Sequence, residues 1–402
     1  MNMIAVKDNL FLTAQANVTF NLENALFGKV VTTYDGRSSD VILFLLPHAK
    51  SDLPLGRLAG IICTSHDPRV IDLQKQSDIP IVVVDPDIVF SHGDIISVSE
   101  RGRIHRHFRS SSSNNALLVT EVCNNLCIMC PQPPKPALAV DQSNTESRIM
   151  QTLALMDEDT LPDSLCITGG EPTMLKEGLI HIVERIADRM PNTLIHLLTN
   201  GRYLCNEHYT LALANAGRHQ LLAGIPLFGH VSDIHDYVVQ KQGAFDQTLA
   251  GLLNCYKYGI NIELRVVLHK VTVKYLKALA EFIARNLFFV KHVALMGMEN
   301  MGYAKLNRKE IFVDPWDYKD RLSDAIEIFQ LYGIEVRIFN LPLCIVNSDT
   351  QSYCVKSISD FKNSWHPKCE HCLKLDMCCG LFNSTTQKFW LSKHIQAFTA
   401  NE

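Results

Sequence analysis

From residue 116 onward, apolar runs of strand length alternate with stretches of helical periodicity, and this alternation constrains the fold more than any other feature of the chain. ALLVT, SLCITGG, TLIHLLTNG, LLAGIPLFG, INIELRVVLH and FVKHVALMGME read as six strands near residues 116, 165, 194, 221, 262 and 292. LIHIVERIADRM, a segment ending near Ala216, a segment from about Phe245 to Tyr258 and one from Val273 to Leu287 read as the intervening helices. Strands that alternate with helices pair in parallel through right-handed crossovers. Six are too few to close an eight-stranded barrel. The expected fold is therefore α/β, with an open, partial (β/α)6 barrel over residues 116–305 and its chemistry gathered at the carboxyl ends of the strands.

Residues 1–115 read differently. VILFLLP, GIICT and IPIVVVD are short β-like runs separated by Pro, Gly and Asp turn signals, which predicts an α/β or β-rich accessory domain. GIICTSHDPRVIDLQKQSDIPIVVVD reads strand, amphipathic helix, strand, with SHGDIISVSERGRI as a hairpin-like closure. The pattern resembles the swivelling domains of phosphotransfer enzymes, but His66 stands at a different spacing from IPIVVV, so no phosphotransfer chemistry is carried over. RSSSSNN, residues 109–115, is rich in loop formers and marks the boundary. The basic run of Arg101, Arg103, His105, Arg106, His107 and Arg109 reads as a solvated strand or linker face.

A formal net charge of -4 removes the electrostatic footprint of non-specific nucleic-acid binding, so no nucleic-acid partner is expected. The first twenty residues lack the order of a secretory signal, and no apolar run approaches the length of a membrane span. The expected location is the cytoplasm, without a membrane partner. In that reducing compartment thirteen cysteines point to metal binding or catalysis more than to disulfides, and they are clustered.

LLVTEVCNNLCIMCPQPP sets Cys123, Cys127 and Cys130 in a C-x3-C-x2-C loop directly after a strand. Three thiolates within eight residues can wrap one [4Fe-4S] cubane and leave one iron without a protein ligand, whereas tetrahedral structural zinc normally recruits four ligands. Ile128 and Met129 are placed to cover such a cluster with apolar surface. Near the carboxyl end, HPKCEHCLKLDMCCGLF sets Cys369, Cys372 and Cys378 in C-x2-C-x5-C, and Cys344 lies 25 residues upstream of them. These four can saturate a second [4Fe-4S] cluster or a zinc ion, with Cys354 and Cys379 as competing ligands. Cys63, Cys166, Cys205 and Cys255 are isolated and read as buried thiols.

CNNLCIMC resembles the signature of the radical S-adenosylmethionine (SAM) superfamily. The resemblance covers residues 116–382 and implies a radical SAM barrel in which SAM chelates the open iron. The match at Gly169, Gly170, Glu171 and Pro172 to the family's GGEP implies contact with SAM, as do Thr199 and Asn200 at the end of the third strand. Arg265 on the fifth strand and the segment around Met296 to Glu299 are implied as further contacts. Between them, His235 and Asp236 lie in a segment similar to one of the peptide-modifying members, where Asp236 reads equally well as a helix cap. The cysteine-rich tail, residues 306–402, resembles the twitch extension that carries an auxiliary cluster. Residues 94–134 resemble the radical maturases of bacterial His-Xaa-Ser repeat peptide systems. That resemblance implies a His-Xaa-Ser repeat precursor peptide as substrate, an electron donor such as flavodoxin or ferredoxin, and a partner radical SAM protein. It leaves the modification unspecified. A small-molecule substrate and a non-catalytic iron-sulfur escort of peptides are the competing readings, separable by release of 5'-deoxyadenosine and by its response to peptide.

Overall fold

The computed structural model describes residues 4–5, 13–34, 41–45, 58–76, 78–137, 144–357, 363–382 and 392–400. Seven parallel strands in sequential order form the central sheet: β1 Asn114–Thr120, β2 Ser164–Gly169, β3 Leu194–Leu198, β4 Leu221–Pro226, β5 Asn261–Leu268, β6 His292–Gly297 and β7 Val336–Phe339. Each strand pairs with its successor, and β1 and β7 are the two edges, so the barrel is open as expected. The expected set of six strands lacks β7, and the parallel sheet runs past residue 305. VRIF is short, and exposed Arg337 interrupts its apolar run, so it carries little strand signal of its own.

Helices α1 Thr145–Leu155, α2 Glu177–Arg189, α3 Glu207–Gly217, α4 Ser232–Val239, α5 Ala244–Lys257, α6 Leu276–Asn286 and α7 Lys319–Leu331 connect the strands. Helix α2 illustrates why they form. Leu179, Ile182, Val183, Ile186 and Ala187 recur at helical spacing and are all buried against the sheet. Helix α3 starts where the Asn206 side chain accepts the Tyr209 N–H at 3.1 Å, and its preceding turn ends on exposed Cys205. The expectation of a buried Cys205 fails for that reason, and Cys166, on the interior side of β2, is only half-buried; Cys63 and Cys255 are buried.

Alternate residues of the strands divide cleanly. Leu117, Leu165, Ile195, Ala223, Leu264 and Leu295 join the helix-facing core. Their neighbours, including Cys166, His196, Gly224, Glu263, Arg265, His292 and Met296, face the barrel interior, where the period-2 pleat puts them. The interior therefore carries a polar group at mid-height, with apolar side chains such as Leu198 beside it.

The amino-terminal region forms an eight-stranded mixed sheet, ordered Thr13–Gln15, Arg103–Phe108, Ile95–Val98, Leu26–Val31, Val41–Phe44, Gly60–Thr64, Ile81–Val84 and Val18–Phe20. The two edge strands are joined in sequence by Ala16 and Asn17, which bond to Gly102 and Val83 on opposite sides, so the sheet curls on itself around Val30, Ile42, Ile62, Val82 and Ile96. Within the basic run Arg101 and Arg103 are exposed, as on a solvated face, but Arg106 is not: it is 7% exposed, pairs with Asp94 at 3.5 Å and lies over the Phe90 ring. The connection at 109–115 is a hydrogen-bonded turn, in which Asn115 Oδ1 accepts the Arg109 N–H at 2.8 Å and its Nδ2 donates back to the Arg109 and Ser112 carbonyls. Ile95 and Phe108 enter the barrel's core cluster, and Lys29 pairs with Asp157 at 2.7 Å, so the two regions pack directly.

A third small sheet orders Ile4–Ala5, Asn363–Trp365 and Leu381–Phe382 in antiparallel register beside the carboxyl-terminal cysteines. Among the described residues no helix is long and apolar enough to cross a membrane.

Candidate cluster and cofactor site

The cysteine loop leaves β1 and is pinned along its length. Leu126 and Ile128 donate backbone N–H to Val239 and Val238 at the end of α4, at 3.1 and 2.9 Å. Arg202 reaches across to donate to the Asn124 carbonyl and Asn125 Oδ1, both at 2.7 Å, while its Nε is held by Gln247 at 2.8 Å. Ile128 and Met129 are buried in an apolar cluster with Phe228, Val238, Ala304 and Ile311, as their residue types led us to expect. Asp236 caps α5, accepting from Gly243 and Phe245 N–H at 2.6 and 2.8 Å, and His235 is buried, with Nδ1 3.3 Å from the Phe228 N–H.

The paired glycines have a steric cause. A Cβ on Gly169 would lie 2.4 Å from the Thr120 carbonyl oxygen and one on Gly170 2.3 Å from that of Val122. The absence of side chains lets the β2 exit lie against the root of the cysteine loop, where Gly170 and Glu171 donate N–H to Thr120 and Val122 at 2.8 Å. Glu171 is fully buried, and this chain's own groups engage both its oxygens. Oε1 accepts from Thr173 N at 3.0 Å, Thr173 Oγ1 at 2.6 Å and Thr199 Oγ1 at 2.6 Å, and Oε2 accepts from Asn200 N at 2.6 Å. Its carboxylate thus ties the β2 and β3 exits together, and Pro172 opens the short turn that follows. Asn200 passes the tie on to the cysteine loop by donating from Nδ2 to Asn124 Oδ1 at 2.6 Å.

Arg265 and Met296 meet inside the barrel: Arg265 Nη2 donates to Met296 Sδ at 3.1 Å. Sequence reasoning missed the layer beneath. Glu263 is buried between His292 Nε2 at 3.0 Å, His196 Nε2 at 3.4 Å and Arg265 Nη1 at 3.6 Å. Burial pushes its carboxyl up, but the two imidazoles and the guanidinium outweigh that and hold it well below the usual carboxylate range. No local motif marks this group, because Glu263 and Arg265 of β5 meet His196 of β3 and His292 of β6 only in the folded sheet.

Cys123 and Cys130 lie close enough to Cys127 to raise its thiol pKa, and Cys130 raises that of Cys123. Burial is the larger cause, taking Cys123 to about 11 and pushing Cys127 and Cys130 up as well. Gathered buried thiols of this kind become ligands when a bound cation offsets that penalty. Among the described residues no three His, Cys, Asp or Glu are grouped so as to hold a single metal ion. A loop with three thiols suits a [4Fe-4S] cluster with one iron left open better than a structural zinc ion, which normally recruits four ligands.

The four expected carboxyl-terminal cysteines, Cys344, Cys369, Cys372 and Cys378, all line one concavity, together with apolar Trp365, Leu381 and Phe398 and polar His366 and Lys374. Cys354 and Cys379 do not line it. Backbone N–H groups point at its sulfurs, from Phe398 to Cys372 and from Gly380 to Cys378, both at 3.4 Å. The Cys379 thiol also donates to Cys378, and these hydrogen bonds draw Cys378 down to about 6 while Cys379 is driven up. Trp365 Nε1 is buried with no acceptor in the protein. A ring of thiols with inward N–H donors and one idle indole N–H fits an acceptor-only inorganic cluster.

Residues 117–283 match the model of the Radical SAM superfamily, which spans the cysteine loop, GGEP, β3 and the Arg265 strand. Fe-coproporphyrin III synthase of Methanosarcina barkeri (strain Fusaro / DSM 804) is 28% identical over 167 residues, 41% of this chain and 39% of that protein. Streptococcus suis SuiB bound to its precursor peptide SuiA superposes with a TM-score of 0.45 at 16% identity, covering 57% of this chain and 49% of SuiB. A radical SAM methyltransferase from Sphaerobacter thermophilus superposes with a TM-score of 0.42 at 15% identity, covering 61% of this chain and 72% of that one. This chain therefore spans well under two thirds of the curated relative and about half of SuiB.

Proposed function

We propose that this chain is a radical SAM enzyme that modifies a ribosomally made peptide. The single observation that carries the enzyme reading is the join between motifs: the cysteine loop, GGEP and the β3 exit are locked together through Asn124, Gly170, Glu171 and Asn200, inside the region that matches the superfamily model. Cys123, Cys127 and Cys130 would hold a [4Fe-4S] cluster whose fourth iron takes SAM, and that group supplies reductive carbon-sulfur cleavage to methionine and a 5'-deoxyadenosyl radical. The protein's work is positional. Glu171 fixes the loops from behind, Ile128 and Met129 exclude water, and Arg265, backed by Glu263, presents a fixed cation to the barrel interior.

Cys344, Cys369, Cys372 and Cys378 would hold a second [4Fe-4S] cluster. Four protein ligands leave no iron open, so this site carries electrons and does not bind substrate directly. The peptide reading rests on the resemblance of residues 94–134 to maturases of His-Xaa-Ser systems, with a flavodoxin- or ferredoxin-like reductant and a partner radical SAM protein as further expectations. Similarity to Fe-coproporphyrin III synthase favours a second reading, a small-molecule substrate.

Anaerobic incubation of reconstituted, dithionite-reduced protein with SAM, with and without a His-Xaa-Ser repeat peptide, separates them. Release of 5'-deoxyadenosine that rises with peptide, with a mass change in the peptide, supports the maturase. Release indifferent to peptide leaves the radical enzyme and moves the substrate to a small molecule, whereas no release from cluster-loaded protein rejects catalysis.

A further inference from the structure

We propose that the guanidinium of Arg202 is the resident counter-charge of the cluster held by Cys123, Cys127 and Cys130, and that it raises the reduction potential of that cluster. The proposal deepens the radical SAM reading and rests on it. Arg202 is 7% exposed and stands at the β3 exit, where its backbone N–H donates to Asn200 Oδ1 at 3.0 Å. Every acceptor its guanidinium meets is neutral: the Asn124 carbonyl, Asn125 Oδ1 and Gln247 Oε1. Among the described residues no carboxylate pairs with it. Glu171, which also reaches the β3 exit, has both oxygens engaged by Thr173, Thr199 and Asn200. A cation withdrawn from water without an anion is costly, so a buried arginine ordinarily has one beside it.

Its position says which anion it serves. Both bonds from Nη1 land on Asn124 and Asn125, the two residues that follow Cys123 on the way to Cys127. The next turn of the same loop is held from another side, where Leu126 and Ile128 donate to Val239 and Val238. The guanidinium is thus fixed against the segment that joins two of the three thiols.

The chemistry gives that charge a task. Three thiolates outweigh the positive charge of a [4Fe-4S] core, so the assembly is anionic, and reduction adds one more negative charge. A fixed cation beside it stabilises the reduced form more than the oxidised one. Pinning Asn124 and Asn125 needs only hydrogen-bond donors, which an uncharged amide also carries; the charge itself matters to the electron.

The test is potentiometric titration of anaerobically reconstituted full-length protein. Electron paramagnetic resonance identifies the reduced-cluster signal that SAM perturbs, and its potential is read before SAM is added. Arg202→Gln removes the charge and keeps a donor for the loop. It should favour the oxidised cluster by on the order of tenfold, a fall of about 59 mV for one electron. Arg202→Lys keeps the charge and should stay within about twofold of wild type. Equal potentials in all three proteins, or an Arg202→Lys value as low as that of Arg202→Gln, overturn the assignment and leave the enzyme reading standing. Should Arg202→Gln fail to load iron, Gln247→Glu sets a carboxylate against the same guanidinium from an exposed position. That variant should favour the oxidised cluster by roughly threefold, since an exposed carboxylate offsets part of the charge, and no shift in it overturns the assignment. Iron-loaded wild type with no signal that SAM perturbs overturns both.

Discussion

Glu171→Gln replaces a buried carboxylate by an amide of the same shape. Two of the four hydrogen bonds that Glu171 accepts come from backbone N–H groups that cannot rotate, Thr173 on Oε1 and Asn200 on Oε2. A glutamine has one acceptor oxygen, so whichever way its amide turns, its NH2 group faces one of these fixed donors and leaves it unsatisfied. A buried N–H left without an acceptor costs about 1–3 kcal/mol, here taken as about 2. With a urea dependence of about 3 kcal/mol/M, that moves the barrel's unfolding midpoint down by about 0.7 M. Cluster loading should fall with it, because Asn200 loses the anchor from which it holds Asn124. The measurement pairs urea unfolding, followed by far-UV circular dichroism, with iron content after anaerobic reconstitution. A midpoint within about 0.2 M of wild type and full iron would refute the claim that this carboxylate braces the loops.

Changing Cys123, Cys127 and Cys130 together to Ala should abolish SAM cleavage and remove about four irons per chain while the far-UV spectrum is kept; retained cleavage would sink the cluster assignment. Trp365 lines the second thiol ring and has an idle indole N–H; Trp365→Phe removes that donor and should lower the reduction potential of one cluster only, read by potentiometric titration. A potential unmoved would mean that the indole does not reach the cluster. Three buried imidazoles give a pH signature: burial pulls His107 and His269 to about 3 and His235 to about 4. Their unfolded value is near 6.5, so the unfolded chain takes up protons first as pH falls. The stability they contribute is complete above about pH 6.5 and is lost as pH falls toward 4, and His269→Gln should flatten that slope in urea midpoints taken across the window.

Six of the seven barrel strands were legible because their signal is a local periodicity, and the seven cysteines proposed as ligands stand out in the sequence by spacing alone. What was not legible depends on contacts between distant segments. Strand β7 needs β6 beside it to become a strand. Arg106 reads as surface until Asp94 and Phe90 are folded around it. That Glu171 braces the loops depends on Thr199 and Asn200 of the next strand exit, which its own motif does not announce. Trp365 and the Glu263 layer carry no sequence signal at all, since an idle buried donor is defined by what does not surround it.

The strand at Ile4–Ala5 pairs with Asn363–Trp365, the segment that bears the idle indole of the second thiol ring. During synthesis residues 4 and 5 emerge well before residues 364 and 365, so the strand pairing that borders the distal thiol ring forms only after the barrel strands between them have been made. Closing a loop of that length is slow but only modestly unfavourable, because closure entropy grows with the logarithm of loop length. A substitution or appended sequence next to residues 4 and 5 would therefore register first as altered metal loading at the far end of the chain, with the barrel and its own cysteine loop already in place.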